Sequence, residues 1–305
     1  MNLRQIEYFI DIVEKGSLSR AALHLRIAQS ALSRQMNLLE DELGVAVLDR
    51  HGRGVRLTEA GQLLYERARL VLRDVSHLRE DLIARATTPV GALNIGIPTS
   101  FRALLTRPAV EHFLAAWPAV RLKVFEDTSA VIRDYLLSGE IDIGLLSDGE
   151  VSPVMEATSL LSEAMYLIGP PGADLAPRRP VAIAKVAAVP LIMTSRPSIL
   201  RLAVERMFDQ HGLAGTFVID INSTLIFDMV SAGHGYTVFP YCGAHALLRD
   251  GCATAAPIKG FRMSWSLVTL RERPASLATR LFHDLLLKTA REAVEAGTWR
   301  SGKAA

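Results

Sequence analysis

Residues 17–44 read SLSRAALHLRIAQSALSRQMNLLEDELG, and this stretch decides the fold of the N-terminal part of the chain. The serine at its start is a candidate N-cap for a short helix over 18–25. Residues 26–28 leave room only for a tight connection before a second helix over 30–43, which Gly44 can terminate. Two short helices joined by a tight turn predict a helix-turn-helix.

The second of these helices has two contrasting faces. Its apolar face consists of Leu32, Met36, Leu39 and Leu43. Its polar face consists of Gln29, Ser30, Ser33, Arg34 and Asn37. Arginine binds guanine and glutamine binds adenine in a bidentate manner, each contact contributing about 1–3 kcal/mol of discrimination. The acidic residues 40–42 lie at the other end of the helix. On an isolated helix, a polar face is usually only a solvated surface. On the second helix of a helix-turn-helix, however, it predicts a surface that contacts DNA bases.

The flanking segments extend this motif. Residues 3–13 carry apolar side chains at helical spacing and predict an amphipathic helix that ends before Gly16. Residues 45–57 predict a wing of two short strands around a basic, glycine-containing tip. The wing carries Arg50, His51, Arg53 and Arg56. An arginine between glycines, as at position 53, can reach a narrow minor groove or a phosphate. A solvated basic turn is the alternative.

A long helix is predicted from Thr58 to Ala86. Its apolar residues repeat with spacings of four, three, four, three and four, at Leu64, Ala68, Val71, Val75, Leu78 and Leu82. This is the a/d pattern of a coiled coil, so the helix is expected to pair with a second helix. We predict a dimer seam formed by Leu64, Val71, Val75, Leu78 and Leu82. Pro89 and Gly91 would then end the helix and begin a hinge.

Beyond the hinge, strand and helix patterns alternate. Strands are predicted at 93–97, 121–126, 141–146, 165–168, 191–194, 217–221, 236–239 and 263–271. Helices are predicted at 102–117, 129–138, 198–211, 223–232, 240–248 and 274–295. Such alternation is typical of mostly parallel sheets with helices on their faces, so this part of the chain is expected to be α/β.

Hydroxyl-rich segments follow three of these strands, at 98–100, 127–129 and 194–198. Ligands of α/β sheets collect beyond the carboxyl ends of strands, where helix N-termini offer free N–H groups. Each serine or threonine is alternatively a simple N-cap. Together they predict a cleft for a small, anionic effector, lined by Thr99, Ser100, Ser129, Thr194, Ser195 and Phe239 and less firmly by Phe227 and Thr237. Arg196 and Arg201 are candidate countercharges, with a surface position or an internal ion pair as the alternative.

Composition narrows the function classes. The net charge is +2, and residues 1–57 hold eight basic against seven acidic side chains, so attraction to DNA must come from segregated charge. Two cysteines without ligand spacing predict neither a disulfide framework nor a metal site. Charges within the first helix argue against a signal peptide, and no apolar stretch is long enough to span a membrane. The chain is therefore expected to be cytoplasmic, without a membrane partner or cofactor.

Two other classes of protein fit the sequence less well. An enzyme would need a nucleophile, an acid/base pair, a metal cluster or a phosphate loop, and no such group occurs with usable spacing. A solute-binding protein would match the C-terminal part alone, but the fused wing and the absent signal peptide argue against it. A regulator without any effector, controlled by its own abundance, remains an alternative.

The residues 17–22, 28–35, 43–44 and 57–61, with Leu38, Glu40, Leu48 and Arg50, resemble the signature of LysR-type transcriptional regulators. Residues 1–9 and 195–201 are similar to the nitrogen assimilation control branch of that family. Position 30 is serine where many relatives have proline, and both residues suit a helix start.

The resemblance implies an all-α-dominated winged helix-turn-helix domain at 1–57, a linker dimerisation helix and hinge at 58–88, and an effector-binding domain at 89–305. The last would be a periplasmic-binding-protein-like α/β domain of two subdomains, with bounds 91–160 plus 266–297 and 161–265. The implied DNA-binding residues are Gln29, Ser30, Ser33, Arg34 and Arg53, to which the basic cluster of the wing adds Arg50. The implied partners are an interrupted palindrome in double-stranded DNA, further copies of the chain in a homodimer and homotetramer, a small-molecule effector and RNA polymerase.

Overall fold

A computed structural model describes residues 1–51, 54–83, 89–300 and 302–304, without the side chains of residues 77, 80–83 and 304. The chain divides into two compact units. Unit 1 comprises residues 1–85 with 138–140, and unit 2 comprises residues 86–137 with 141–305. No helix of the described residues is both long and apolar enough to cross a membrane.

Unit 1 is a winged helix-turn-helix followed by a long helix. Its elements are α1 (Leu3–Lys15), α2 (Leu18–Leu25), α3 (Gln29–Leu43), β1 (Leu48–His51), β2 (Gly54–Leu57) and α4 (Glu59–Ile83). The predicted helices and wing strands are confirmed, and α3 begins one residue earlier than predicted. The predicted end of α4 at Ala86 and the wing residue Arg53 lie outside the described residues.

Local signals explain these boundaries. Asn2 and Gln5 form a capping box at the start of α1, and the Ser17 hydroxyl accepts a hydrogen bond from the Arg20 N–H at the start of α2. Gly16 ends α1 in the left-handed region at φ +65°. Arg26 adopts φ +56° after α2, which is a conformation that sequence patterns rarely predict for a residue with a side chain.

The core of unit 1 holds α3 against the first two helices. Phe9, Ile12, Leu32, Met36 and Leu39 are fully buried in it. The apolar face predicted for α3 is therefore confirmed over most of its length. At its C-terminal end the prediction fails, since Leu43 is 36% exposed.

The junction between the wing and α4 is tight. The Thr58 hydroxyl donates to the Ala46 carbonyl at 2.7 Å and accepts from the Gly61 N–H at 3.0 Å, so it caps α4 and fixes it to the segment before β1. A Cβ on Gly61 would lie 1.9 Å from the Val47 carbonyl oxygen. Only glycine allows this approach of α4.

The first part of α4 packs within its own chain. Leu64 lies against the unit 1 core and Ala68 is buried, so these two seam positions are covered without a partner. Further along, Val71 is 44% and Leu78 61% exposed. The sequence pattern could not distinguish these two cases. The apolar residues of a helix have the same spacing whether they pack against another copy or against the same chain.

Unit 2 contains the remaining elements. Its strands are β3 (Gly91–Pro98), β4 (Val120–Asp127), β5 (Ile143–Ser147), β6 (Met155–Gly169), β7 (Pro190–Met193), β8 (Thr216–Asp220), β9 (Thr237–Pro240), β10 (Thr254–Leu270) and β11 (Gly302–Ala304). Its α-helices are α5 (Arg107–Ala116), α6 (Ser129–Leu137), α7 (Ile183–Ala187), α8 (Ile199–Gln210), α9 (Leu225–Ser231), α10 (Tyr241–Arg249) and α11 (Leu277–Glu295). Short 3-10 and π turns over 99–106 precede α5, so the single helix predicted over 102–117 begins as a π turn over Arg102–Thr106.

The main sheet of unit 2 has the strand order β11-β6-β10-β5-β3-β4, with β9 also paired to β6. Strand β3 runs parallel to β4 and β5, whereas β10 is antiparallel to both β5 and β6. Four of the six strand pairings described for this sheet are antiparallel, so the prediction of mostly parallel sheets is wrong here. The two long strands β6 and β10 lie side by side in opposite directions, with Trp265 opposite Leu161, at the positions where the chain was expected to cross over and return. A second, two-stranded parallel sheet pairs β7 with β8.

Candidate nucleic-acid interface and ligand cavity

The N-terminal half of α3 is free on its outer side. Gln29, Ser30 and Arg34 are exposed there, because the apolar residues of the helix fix the opposite face in the core. Ala28 is the N-cap residue and provides no side-chain cap, and the first turn contains no acidic side chain. The free N–H groups and the partial positive charge of this helix end suit a phosphate.

Arg34 makes no ion pair or hydrogen bond with any described residue, so its guanidinium can reach outward. Gln29 is oriented through its Oε1 atom, which accepts a hydrogen bond from the Ser19 hydroxyl at 3.0 Å. Its amide NH₂ group has no acceptor among the described residues. Both side chains therefore retain the donors that direct base recognition requires.

Arg50 bridges the wing strand β1 and α3. Its Nη1 donates to Ser33 Oγ at 3.1 Å, and its Nη2 donates to Asn37 Oδ1 at 2.7 Å and Glu40 Oε2 at 3.2 Å. Glu40 Oε1 accepts the backbone N–H groups of residues 47–48 at 2.8 and 3.0 Å. Two sequence-predicted DNA-binding residues, Ser33 and Arg50, thus contact each other, and Arg50 fixes the position of the wing relative to α3.

The wing is also fixed to the turn before α2. The Val55 N–H donates to the Gly16 carbonyl at 3.1 Å, and a Cβ on Gly54 would lie 2.6 Å from that same oxygen. Arg56 is exposed on β2. His51 pairs with Asp49 at 3.0 Å.

Unit 2 contains a cavity of about 630 Å³. It lies at the ends of β3, β4, β7 and β9 and beside the first residues of α6, α8, α9 and α10. Thr99, Ser100, Ser129, Thr194 and Phe239 all line it, together with Phe227. Ser195 and Thr237 do not; the Ser195 N–H donates to Asn222 Oδ1 at 2.9 Å, and Thr237 is fully buried. Further lining residues that the sequence patterns did not predict include Cys242, Met263, Trp265 and Asp228.

The predicted hydroxyl groups differ in what they already bind. Ser129 Oγ accepts from the Ser147 N–H at 3.1 Å, and the Thr194 hydroxyl donates to Ser198 Oγ at 2.8 Å. Both therefore act at least partly within the protein, although neither bond is the helix N-cap that the alternative interpretation expected. The Thr99 and Ser100 hydroxyls bond to no described residue, so they are available to a ligand.

Both arginines that line the described cavity are paired with glutamates. The Arg102 Nε donates to Glu126 Oε2 at 2.9 Å, and this hydrogen bond raises the pKa of Arg102. Arg107 pairs with Glu111 at 2.8 Å on the surface. Asp127 and Asp228 add further carboxylates to the lining. Side-chain charge at the cavity is therefore not positive.

Arg196 and Arg201 form ion pairs within the protein, which was the alternative to a role as countercharges for a ligand. Arg196 Nη2 lies 2.8 Å from Glu205 Oε2, and Arg201 Nε lies 2.7 Å from Glu205 Oε1. Arg201 Nη1 also reaches Asp220 at 2.7 Å. Partial burial raises the pKa of Glu205, but the hydrogen bonds from the two arginines outweigh it and leave the pKa lowered. Neither arginine lines the cavity.

A buried polar cluster lies behind the cavity wall. Glu163 on β6 is fully buried, and its carboxyl accepts hydrogen bonds from Trp299 Nε1 at 2.9 Å and from the Cys242 thiol at 3.5 Å. Burial raises the pKa of Glu163 to about 7, although these hydrogen bonds oppose the rise. Burial, followed by the nearby Glu163 charge, raises the pKa of the Cys242 thiol. No sequence pattern indicates this cluster, since Glu163 and Trp299 are 136 positions apart.

Two family models match this architecture. Residues 3–62 match the bacterial regulatory helix-turn-helix protein model of the lysR family, and residues 86–291 match the LysR substrate binding domain. The chain belongs to the LysR family. As a LysR-family protein it is a DNA-binding transcription regulator with an effector-binding domain.

Curated LysR-family relatives align over most of the chain. The nitrogen assimilation regulatory protein nac of Klebsiella aerogenes is 34% identical over 271 residues, which cover 88% of this chain and 87% of that protein. The HTH-type transcriptional regulator BbuR of Bordetella bronchiseptica is 28% identical, covering 96% of this chain and 91% of that protein. The similarity to nitrogen assimilation regulators thus extends well beyond residues 1–9 and 195–201, which had indicated it.

Solved LysR-family structures share the fold. Full-length CbnR in complex with its target DNA superposes with a TM-score of 0.69 at 23% identity, covering 96% of this chain and all of that chain. A full-length OxyR variant of Pseudomonas aeruginosa superposes with a TM-score of 0.72 at 19% identity, covering 95% of this chain and 98% of that one. These likenesses establish the two-part architecture predicted from the sequence.

Proposed function

We propose that the chain regulates transcription by binding an interrupted palindromic promoter site as a homo-oligomer, under the control of a small molecule that binds in the cavity of unit 2. The observation that carries this proposal is the exposed N-terminal half of α3, which has an uncapped positive end and unpaired Gln29 and Arg34 donors. A small molecule can act only through unequal affinity for two states of the protein.

Base reading is assigned to Gln29, Ser30 and Arg34 in the major groove. Arg50 binds Ser33 and thereby fixes the position of the wing relative to α3. When α3 enters the major groove, the wing arginines therefore lie beside phosphates or the minor groove. The wing-tip residue Arg53 is proposed to make such a contact.

Dimerisation is assigned to the part of α4 beyond the unit 1 core. Val71 and Leu78 are exposed apolar residues one heptad apart, and Val75 is half-buried between them. A helix with this stripe is stabilised by a second copy that covers it. Two such dimers would form the homotetramer expected for the family, and contact with RNA polymerase would follow at the promoter.

The effector site is assigned to the 630 Å³ cavity, because five of the six predicted effector-binding residues lie around it. Its volume is in the ordinary range for small-molecule sites. The Thr99 and Ser100 hydroxyls and the N-termini of α6, α8 and α10 supply polar contacts, and Phe227 and Phe239 supply an apolar wall.

The test is a selection of bound fragments from sheared genomic DNA of the source organism with the full-length protein. We expect a few promoter fragments that contain two separated half-sites and a steep loss of affinity with salt. Arg34→Ala should abolish the preference for these fragments, each lost base contact costing about 1–3 kcal/mol. Arg133→Ala, at an arginine of α6 in the other unit, is the matched control. Equal retention of all fragments by the unaltered protein contradicts the proposal.

A further inference from the structure

Unit 2 contains a second cavity, with a volume of about 260 Å³, and the helix α10 separates it from the 630 Å³ cavity. Residues 242–243 and 246–247 of α10 line the larger cavity. Residues 241, 245 and 248–249 line the smaller one. At about 3.6 residues per turn, these two sets lie on opposite faces of the helix. A ligand in the smaller cavity would therefore contact the helix that also forms a wall of the larger one.

The smaller cavity has basic side chains in its lining without acidic ones. His245, Arg249 and Arg300 line it, whereas its described lining contains neither an aspartate nor a glutamate. Tyr241 and Leu248 supply apolar surface beside them. The larger cavity differs, because both arginines among its described lining residues are paired with glutamates. We refer to the smaller cavity as the basic cavity.

Both arginines of the basic cavity retain hydrogen-bond donors for a ligand. Arg300 is exposed and makes no ion pair or hydrogen bond with any described residue. Arg249 binds Asp250 through Nε at 2.8 Å and Nη2 at 3.2 Å, which leaves its Nη1 without an acceptor among the described residues. The side chains of this pair are 67% and 51% exposed, so the pair is weak and an anion can compete with it.

His245 lies close to both arginines. Burial lowers the pKa of its imidazole, and the charges of Arg249 and Arg300 lower it further, while the charge of Asp250 opposes this decrease. His245 is itself partly exposed, and its ring packs edge-on against Tyr241 with 5.9 Å between the ring centroids. Two guanidinium groups near one imidazole create a local positive potential, which an anion in the cavity would neutralise.

We propose that the basic cavity binds a small, doubly charged oxyanion, either inorganic phosphate or the phosphate group of a small metabolite, between His245, Arg249 and Arg300. Arginine presents a planar fork of N–H groups that matches phosphate oxygens, and such charge-assisted hydrogen bonds are about twice as strong as neutral ones. Organic ligands usually occupy cavities of about 300–1,000 Å³, so the 260 Å³ of this one suits a small ion or ester. The inference goes beyond the proposed function and holds whether or not the 630 Å³ cavity binds an effector.

Calorimetric titration of the full-length protein at constant ionic strength tests this inference. The titrants are sodium phosphate, sodium glycerol 2-phosphate, sodium acetate and sodium chloride, at about pH 8, where a phosphate group carries close to two negative charges. The test variant is Arg300→Gln. Arg121→Gln is the matched control, because Arg121 is an exposed arginine of β4 in the same unit that lines neither cavity and pairs with no described residue.

We expect saturable binding of phosphate or glycerol 2-phosphate and no saturation with acetate or chloride. Tighter binding of glycerol 2-phosphate identifies a phosphate ester as the ligand, and tighter binding of phosphate identifies the free ion. The affinity should fall at least about tenfold in Arg300→Gln, equivalent to about 1.4 kcal/mol, and stay unchanged in Arg121→Gln. Far-UV circular dichroism should show both variants folded, since both arginines are exposed.

Four results would overturn the inference. If neither phosphate compound gives more heat than chloride at the same ionic strength, the cavity is not an anion site. If acetate binds as tightly as phosphate, the doubly charged class is wrong. If Arg300→Gln binds phosphate like the unaltered protein, the ion lies elsewhere, for example at the exposed end of α3. If both variants lose affinity equally, phosphate responds only to the net charge of the chain. The genomic selection decides DNA binding separately from all four.

Discussion

Glu163 shows how one residue can couple distant parts of unit 2. Its carboxyl joins β6 to Trp299, which follows α11, and to Cys242, which lines the cavity from α10. Since a fully buried carboxyl is favoured in its neutral form, the cluster is sensitive to pH although it is far from solvent.

The sign of this pH dependence follows from the raised pKa. The pKa of Glu163 rises from 4.5 to about 7 in the folded chain, so its ionisation opposes folding progressively from pH 4.5 to pH 7. The full cost is about 3 kcal/mol, of which about 2 kcal/mol develops between pH 5 and pH 8. Glu163→Gln retains an acceptor for Trp299 without the charge. We therefore expect the variant to gain about 2 kcal/mol of unfolding free energy over the unaltered protein on going from pH 5 to pH 8.

Urea unfolding followed by tryptophan emission measures this difference, because all three tryptophans lie in unit 2. Glu156→Gln is the matched control, since Glu156 is exposed on the same strand. A difference between Glu163→Gln and the unaltered protein that is the same at both pH values would show that Glu163 does not titrate in this range.

At the scale of elements, the sequence predicted helix boundaries that depend on neighbouring residues. It did not predict strand directions, which depend on pairing between distant segments. The helices α1 to α3 follow from apolar spacing, from Ser17 and from the glycines at positions 16 and 44, which all lie within or beside the element that they define. The direction of β10 could not be read, because a strand has the same two-residue period in either direction. Strand β11 is three residues long and carries no pattern at all.

The candidate sites divide in the same way. Four residues of the cavity lining, Thr99, Ser100, Ser129 and Thr194, were predicted because they follow strands whose ends are visible in the sequence. Trp265 was missed as a lining residue, since it lies within β10, and nothing local indicates that this part of β10 borders the cavity. The role of Arg50 also depends on a partner helix, 17 positions earlier in the chain at Ser33.

The junction between β2 and α4 gives a test at this scale. Gly61→Ala would place a methyl group 1.9 Å from the Val47 carbonyl oxygen, and backbone atoms cannot move aside cheaply. We expect about 1–3 kcal/mol of destabilisation of unit 1 from overpacking. DNA affinity should fall as well, because the wing and α4 share this junction through Thr58.

Far-UV circular dichroism during thermal unfolding and DNA-binding titrations provide the measurements. Gln62→Ala is the control, as it changes the exposed next residue of the same helix turn. If Gly61→Ala melts and binds DNA like the control, the close approach of α4 to Val47 is not a feature of the protein in solution.

At the scale of the whole molecule, the two units impose different requirements. Unit 1 presents one exposed face of α3, whereas the proposed interrupted palindrome has two half-sites, so the proposed function requires a second copy for the other half-site. Unit 2 has to transmit the presence of a ligand, which requires two states that differ in affinity for it. In the proposed dimer, the exposed end of the α4 stripe, with Val71 and Leu78, is the surface that would bring two copies of α3 into one assembly.

Leu78→Lys tests this requirement. Leu78 is 61% exposed in the single chain, so a lysine there costs little unless another copy covers it. In a helix seam the lysine would be buried without a counterion, which disfavours association. We expect dimer dissociation to become at least about tenfold easier, equivalent to about 1.4 kcal/mol. Sedimentation should show smaller species, and affinity for the full interrupted palindrome should fall towards that for a single half-site.

Leu23→Lys, at a residue of α2 that is 81% exposed, should keep the oligomer intact. An unchanged oligomer in Leu78→Lys would place the dimer contact outside α4 and leave the exposed stripe without a role in assembly.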